Sequence, residues 1–337
     1  MKILMVSYLF LPDVGGISTV ASLLAYEFVK RGHQVRVVTT SEGAGPEDYP
    51  FEVVRRPGVN ALIQHTRWCD VSLNVHVSLR LSWPVLLLGK PWVVSHHSWV
   101  TRVDGSLGIH DHVKRYLFRR ARCISVSRAV AKSLNTPSVV IGPPYDASVF
   151  HPDPGIPRDR DLLFVGRLVS SKGIDVLLEA LVLLRNAALT PGLTIVGEGP
   201  EGPRVREKVA ALGLGDQVTF AGTRGAAELR DTYCAHRIIV VPSVGPETFG
   251  LVALEALACG CQPVGSRGAG GLEEAMGPSG VIFEKGNPRS LAAELEKLLR
   301  EPDPLNGRRL EAEEHLARFR TEQVATEYLK VMMSNES

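Results

Sequence analysis

Residues 237–260, RIIVVPSVGPETFGLVALEALACG, contain the sequence pattern that best predicts the fold. Its β-branched run predicts a buried strand over Arg237–Val241, and the apolar residues after the Pro/Gly loop predict a helix over Thr248–Cys259. Two carboxylates, Glu247 and Glu255, stand eight residues apart along this segment. Helical geometry would place them roughly 12 Å apart along the axis and about 80° apart around it. This spacing favours a long polar ligand that is held at both ends.

The same spacing excludes one class of enzyme, and the start of the helix predicts an anion site. A retaining glycosidase needs its acid and its nucleophile about 5 Å apart, which is closer than this. The first helical residues carry backbone N–H groups that have no intrahelical acceptor and therefore favour an anion. These residues are Thr248, Phe249, Gly250 and Leu251, and Gly250 also lets a ligand approach the backbone closely.

The pattern E-x7-E inside PSVGPETFGLVALEALACG resembles the donor-site motif of retaining glycosyltransferases of the GT-B fold, glycosyltransferase family 4. The resemblance implies that Glu247 contacts hydroxyl groups of a donor sugar and that Glu255 contacts the ribose of its nucleotide. The alternative interpretation of the same residues is an amphipathic helix with one capping and one exposed glutamate.

Length and pattern predict two domains. A chain of 337 residues suits two domains of roughly 150 residues each, and alternating strand and helix patterns predict a parallel sheet covered by helices in both. A Pro- and Gly-rich stretch from Gly142 to Pro157 has the composition of a linker. We expect two Rossmann-like domains facing a cleft, the GT-B fold, over residues 1–150 and 158–310. The resemblance implies that residues 311–337, with a helix over Glu311–Val331, cross back to the first domain.

In the first domain, two places are candidates for the site. Gly15 and Gly16 follow the first strand, and they resemble the Gly-Gly loop of the family, which approaches the donor phosphates. A tight strand–helix turn is the alternative interpretation. The strand in PWVVSHHS ends in two histidines, and adjacent strand residues point to opposite faces. By resemblance His97 lies near the reacting centre, whereas His96 takes an apolar position.

In the second domain, Arg167 and Lys172 lie close together in the sequence after a predicted strand. Two cations near a helix N-terminus suit a diphosphate, whose charge grows as the sugar leaves. The resemblance assigns both residues this role, and the alternative is a pair of solvated surface charges. We therefore expect catalysis without a bound metal or other cofactor.

Leu193–Gly202 contains the pattern G-x-G-x-x-G, which begins at Gly197. This pattern is typical of nicotinamide dinucleotide sites, but the acidic residue expected at the end of the next strand is absent. The stretch also resembles the G-x-G-P segment of the family, which borders the nucleotide, and we favour that interpretation for Gly197.

Charge is distributed unevenly along the chain. Residues 1–150 carry a net charge of +7 and the remainder −5. The stretch 110–132 is basic, and a basic amphipathic helix there would contact an anionic membrane surface, with a solvated face as the alternative. Scattered cysteines, no signal-peptide pattern and no long apolar run predict a cytoplasmic protein, peripheral to the membrane at most, with no nucleic-acid partner.

The sequence thus predicts a retaining glycosyltransferase. The expected donor is a nucleotide-diphosphate sugar, with UDP favoured and GDP next, and the expected acceptor is a glycan, lipid-linked or small-molecule hydroxyl. The resemblance implies front-face return of the acceptor, with a donor phosphate oxygen taking its proton. Two alternatives are an NAD-dependent oxidoreductase and a non-catalytic protein that binds sugar nucleotides.

Overall fold

The computed structural model describes residues 1–13, 15–43, 48–99, 108–134 and 136–334, and for residues 109–111 it describes the backbone alone. The chain divides into two compact units. The first unit comprises Met1–Pro144 together with Phe319–Ser337, and the second comprises Tyr145–Arg318. The first boundary follows Pro143-Pro144, inside the stretch with linker composition.

Strands and helices alternate through the first unit, as the sequence pattern predicts. Its elements up to residue 144 are β1 (Lys2–Ser7), α1 (Gly16–Lys30), β2 (Gln34–Thr39), β3 (Glu52–Arg55), α2 (Val59–Trp68), β4 (Val71–Val75), α3 (Leu79–Leu87), β5 (Trp92–His96), α4 (Ile109–Phe118), β6 (Arg122–Ser125), α5 (Arg128–Leu134) and β7 (Ser138–Val140).

Within the described ranges these strands form one parallel sheet in the order β3-β2-β1-β4-β5-β6-β7. Because β1 pairs with β2 on one side and β4 on the other, the strand order reverses between β1 and β4. Strands β1, β4 and β5 are almost wholly buried on both of their faces. This burial requires helices on both faces of the sheet, and it explains the near-continuous apolar runs of the sequence.

The second unit repeats this plan. Its elements are β8 (Arg160–Val165), a 3₁₀ turn (Ser170–Lys172), α6 (Ile174–Asn186), β9 (Leu193–Val196), α7 (Gly202–Ala211), β10 (Val218–Phe220), α8 (Ala226–Ala235), β11 (His236–Val241), α9 (Leu251–Ala258), β12 (Gln262–Ser266), α10 (Leu272–Met276), a second 3₁₀ turn (Gly277–Ser279), β13 (Val281–Phe283), α11 (Pro288–Arg300) and α12 (Arg309–Ala317).

The sheet of the second unit is also parallel, in the order β10-β9-β8-β11-β12-β13 over the described residues. Its order reverses between β8 and β11, which are directly paired. In doubly wound sheets a ligand binds at such a reversal, outside the carboxyl ends of the strands. The core beneath joins the apolar face of α6 to β8, β9 and β11 through residues such as Leu177, Ile195 and Ile238.

The C-terminal segment differs from the single helix predicted over Glu311–Val331. It forms two helices, α12 and α13 (Thr321–Met333), separated at Arg318–Arg320. Helix α12 belongs to the second unit, whereas α13 belongs to the first and packs against α1. Buried Phe319 lies at the break, at the first residue of the C-terminal part of the first unit. The sequence pattern shows both halves as helical and gives no sign that they bury against different sheets.

Candidate functional site

The candidate residues of the second unit follow the two strands that flank its reversal. Arg167 and Lys172 follow β8, and Glu247 follows β11. Because both strands are parallel, their carboxyl ends lie at one edge of the sheet, where a doubly wound fold places its ligand. The topology therefore puts these groups where the sequence motifs predict the donor site.

Lys172 and Glu247 form a direct ion pair. The Lys172 ammonium lies 2.7 Å from Glu247 Oε1, although the residues are 75 positions apart in the chain. The Ser243 hydroxyl donates a hydrogen bond to the same carboxylate oxygen. The Glu247 side chain is only 13% exposed, so it is held largely away from water with one oxygen occupied. The result is a fixed carboxylate beside a cation.

Backbone contacts fix the position of Glu247. The Glu247 amide donates to Ala269 O at 3.2 Å, and Glu247 O accepts from the Gly271 amide at 2.9 Å. Gly270, between these two partners, has φ +69°, and a Cβ there would lie 2.1 Å from Glu247 O. Only glycine fits this approach, which is the structural reason for glycine at position 270.

The structure corrects the helix predicted over Thr248–Cys259. Helix α9 begins at Leu251, because Gly250 takes a left-handed conformation at φ 107° and caps the helix instead of belonging to it. Glu247 is therefore in a short bridge with Gly270, and its spacing from Glu255 cannot be calculated from helix geometry. Phe249 is buried, and the amides of the first turn are those of Leu251 and its successors.

Glu255 lies within α9 and accepts a hydrogen bond from the Tyr233 hydroxyl of α8 at 3.2 Å. Tyr233 is fully buried and Glu255 is half-buried. Removal from water disfavours the charged carboxylate, and this desolvation raises the pKa of Glu255 to about 8, although the Tyr233 hydrogen bond lowers it in part. A carboxyl group with a raised pKa in a ligand-binding region is typical of a functional residue.

The structure does not bring Arg167 into the Lys172–Glu247 pair. The Arg167 side chain is exposed and makes no ion pair within the described ranges. The pattern that begins at Gly197 has a structural explanation of its own. A Cβ at Gly197 would lie 2.2 Å from Gly166 O, and one at Gly199 would lie 2.3 Å from Leu168 O. These glycines let the loop after β9 pack on the loop after β8, so dinucleotide binding is not needed to explain them.

In the first unit, Gly15 and Gly16 stand between β1 and α1, at the reversal of the sheet. Gly15 is the N-cap of α1 and has an extended φ of 173°, which any residue can adopt. A Cβ added to it would meet no described atom within 4 Å. Neither backbone conformation nor packing therefore requires glycine at this position, which is consistent with close approach of a ligand.

His97 directly follows β5 and belongs to a buried hydrogen-bond chain. Its Nε2 lies 2.9 Å from Ser95 Oγ, which lies 2.6 Å from the Tyr328 hydroxyl of α13. Desolvation lowers the pKa of His97 to about 3, so its imidazole is neutral at physiological pH. His96 points elsewhere. It is fully buried, its ring packs edge-on against Phe118, and neither ring nitrogen has a hydrogen-bond partner among the described residues.

Sequence reasoning missed the residues that hold these groups, namely Ser243, Tyr233, Ser95 and Tyr328. Ser243 could have been found, because it follows β11 at the carboxyl edge of the sheet. The two tyrosines give no local signal. Tyr233 lies two residues before the end of α8, and Tyr328 reaches Ser95 from 233 positions away in the chain.

Two further polar residues of the second unit, His236 and Glu273, are held by local hydrogen bonds. His236 is buried; its Nδ1 lies 2.6 Å from Thr232 O and its Nε2 lies 2.9 Å from Thr194 Oγ1. A carbonyl can only accept, so Nδ1 donates and Nε2 accepts, and burial lowers the pKa of His236 to about 4. Glu273 accepts a hydrogen bond from the Gly268 amide at 2.7 Å.

The basic stretch 110–132 is not one amphipathic helix. It contains most of α4, all of β6 and the start of α5, and the side chain of His110 lies outside the described residues. Arg119 and Arg120 are exposed between α4 and β6. Across the described ranges, none of the helices is both long enough and apolar enough to cross a bilayer.

Solved structures with this architecture define the class. HepE from Anabaena, in complex with UDP and glucose, superposes with a TM-score of 0.79 at 20% identity over 98% of this chain and 99% of that one. Sucrose-phosphate synthase from Thermosynechococcus elongatus gives a TM-score of 0.80 at 22% identity over 98% of both chains. The protein therefore has two parallel-sheet α/β domains of the GT-B fold.

Sequence comparison identifies the family. Residues 148–316 match the glycosyl transferases group 1 family, to which the chain belongs. It is similar to the D-inositol 3-phosphate glycosyltransferases of Thermobispora bispora (35% identity over 241 residues) and Frankia alni (32% over 287 residues). These alignments cover 65% and 74% of this chain, but 55% and 68% of the length of the two relatives.

Proposed function

We propose that this protein transfers a sugar from a nucleotide-diphosphate sugar to a hydroxyl acceptor with retention of anomeric configuration. One observation carries the proposal: Lys172 and Glu247 are paired at the carboxyl edge of β8 and β11, where the second sheet reverses. The cation and the α9 amides suit a diphosphate, and the carboxylate suits sugar hydroxyls. Family membership and the UDP complexes of HepE support this assignment.

The individual roles are those that the resemblance to the family implies. Lys172 and Arg167 neutralise the leaving diphosphate, Glu247 and His97 orient the sugar, and Glu255 binds the ribose. Gly15, Gly16 and Gly197, with Thr248–Leu251, border the donor. Because lysine and arginine supply the positive charge that the leaving group needs, transfer requires no bound metal. UDP is the favoured nucleotide and GDP the next.

The first acceptor to test is D-inositol 3-phosphate, because the relatives are named for it. Its phosphate also suits the positive charge of residues 1–150. We expect a peripheral membrane contact through residues 110–132 in addition. The oxidoreductase alternative loses its main support, because the Gly197 pattern is explained by loop packing.

The test is a transfer assay with a panel of UDP- and GDP-sugars and D-inositol 3-phosphate, with product detected by mass spectrometry. We expect transfer that survives EDTA and falls by about 10² to 10³ in Glu247→Gln, the scale of losing a transition-state contact. The matched control is Glu294→Gln, which removes a carboxylate from an exposed helical ion pair. Normal turnover of Glu247→Gln would disprove its role, and loss of activity with EDTA would disprove metal independence.

A further inference from the structure

The first unit contains a cavity at the edge of its sheet where the strands begin. Its volume is about 890 Å³. It is lined where β5, β6 and β7 begin, by residues such as Trp92 and Ser138, and by Val331 and Ser334 at the end of α13. The candidate residues Gly15 and His97 follow the carboxyl ends of strands and thus belong to the other edge. Nothing in the proposed transfer reaction uses this cavity.

The lining of the cavity is strongly basic. It includes Lys90, Arg119, Arg120 and Arg122, and no acidic residue lines it in the described part of the chain. Lys90 donates to Arg67 O and Cys69 O, and Arg122 donates to Val331 O and Met332 O, so neutral carbonyls hold both charges in place. Arg119 and Arg120 are exposed and form no ion pair among the described residues. Four cations with no carboxylate among the described lining residues create a local field that attracts an anion.

The floor of the cavity is apolar, and exposed apolar side chains stand beside the cations at its rim. Trp92 and Phe118 are buried beneath it. Val139, which is 50% exposed, lines the cavity, and Met333, which is 58% exposed, lies in the chain between the lining residues Val331 and Ser334. Exposed apolar groups around a basic patch are typical of a surface that enters the headgroup region of a membrane. A soluble phosphate would explain the cations but not this rim.

We propose that this edge binds an anionic phospholipid at a membrane surface, with its phosphate on Arg119 and Arg120 and part of one acyl chain in the cavity. The inference deepens the proposed membrane contact and does not depend on the donor chemistry. The cavity lies at the Trp92 end of strand β5, and His97 follows the other end. Because a strand rises about 3.3 Å per residue, a lipid held in the cavity is more than about 10 Å from His97. The bound lipid is therefore an anchor and not the acceptor.

The first test is co-sedimentation with vesicles of phosphatidylcholine, with and without 30 mol% phosphatidylglycerol. We expect binding only to the anionic vesicles. Each cation near such a surface changes partitioning by about fivefold, so Arg119→Glu with Arg120→Glu should weaken binding by about 25-fold or more. The control is Lys285→Glu with Arg289→Glu, which makes the same charge change at exposed positions of the second unit. Equal loss in both double variants, or no loss in the first, would overturn the proposal.

A second test distinguishes binding in the cavity from general electrostatic attraction to the basic surface. Isothermal titration calorimetry with dodecyl phosphate, below its micelle concentration, and with inorganic phosphate should show at least tenfold tighter binding of the amphiphile. Val331→Trp fills the cavity and leaves the four cations, so it should remove that preference. Dodecyl phosphate binding without vesicle binding would overturn the membrane as the source of the ligand. Stabilisation by UDP, measured in every variant, reports folding and donor binding separately, so failure here leaves the proposed function intact.

Discussion

The carboxylate of Glu247 has two partners on one oxygen, Lys172 and Ser243, and this arrangement has a consequence for nucleotide affinity. A diphosphate must share Lys172 with Glu247, and the two anions repel each other. Glu247→Gln removes the competing charge and keeps the side-chain size. We therefore expect UDP to bind the variant more tightly, by roughly three- to tenfold or about 0.7–1.4 kcal/mol, while transfer falls.

Calorimetric titration of UDP into Glu247→Gln, Glu294→Gln and the unsubstituted protein measures this effect. Glu294→Gln should bind UDP with unchanged affinity. Weaker binding of UDP to Glu247→Gln would show that the carboxylate supports the nucleotide directly and does not compete for Lys172.

Glu255 makes stability depend on pH. Its pKa is about 8 in the folded protein, against a reference value of 4.5, because burial disfavours the charge. Between these values the folded state keeps a proton that the unfolded state has lost, so stability falls as the pH rises from 4.5 through 8. Below pH 4.5 both states are protonated, so the contribution of Glu255 to the stability is fully present. In Glu255→Gln this dependence should disappear.

The check is the melting temperature of the unsubstituted protein and of Glu255→Gln between pH 4.5 and 9. The melting temperature of the variant should rise relative to that of the unsubstituted protein as the pH increases. Two parallel curves would mean that Glu255 is ionised throughout and that its burial does not perturb it.

Helix α9 is an element whose existence, but not its first residue, can be predicted from the sequence. The apolar pattern after Pro246 predicts a helix, and a helix exists, but its start is set by contacts that are distant in the chain. The bridge from Glu247 to Gly270 and the left-handed Gly250 hold the preceding residues out of the helix. Periodicity reports the buried face of a helix and contains no information about such a bridge.

Helix α13 is connected to His97 by a chain of hydrogen bonds. Its Tyr328 hydroxyl is 2.6 Å from Ser95 Oγ, which in turn contacts His97, so the helix sets the position of the imidazole. Tyr328→Phe should lower the stability by about 1 kcal/mol, the usual value of one buried hydrogen bond. It should also lower kcat while the KM for the donor changes less, because a misplaced His97 affects the reacting centre.

A double-mutant cycle of Tyr328→Phe with Ser95→Ala distinguishes positioning from stability alone. If both residues act through His97, the second substitution should add little to the loss of kcat caused by the first. Fully additive losses of kcat would show that the two residues act independently and that the chain does not position His97.

At the scale of the whole molecule, the alternation of strands and helices was enough to predict two doubly wound units. The order of the strands was not predictable, because pairing such as β8 with β11 joins segments about 75 residues apart. The motifs predicted a candidate site at one edge of the sheet, since Arg167, Lys172 and Glu247 each follow a strand and parallel strands end at one edge. Partners from distant helices, such as Tyr233 and Tyr328, required the structure.

Thermal denaturation with UDP, GDP, ADP and NAD measures whether the second unit binds the nucleotide of a nucleotide-diphosphate sugar. A ligand at about 100 times its Kd adds about 2.7 kcal/mol to the free energy of unfolding. We predict that UDP, or GDP next, raises the melting temperature, that NAD does not, and that Glu255→Gln reduces the rise. A rise with NAD alone, or with none of the four nucleotides, would contradict binding of a nucleotide-diphosphate sugar by the second unit.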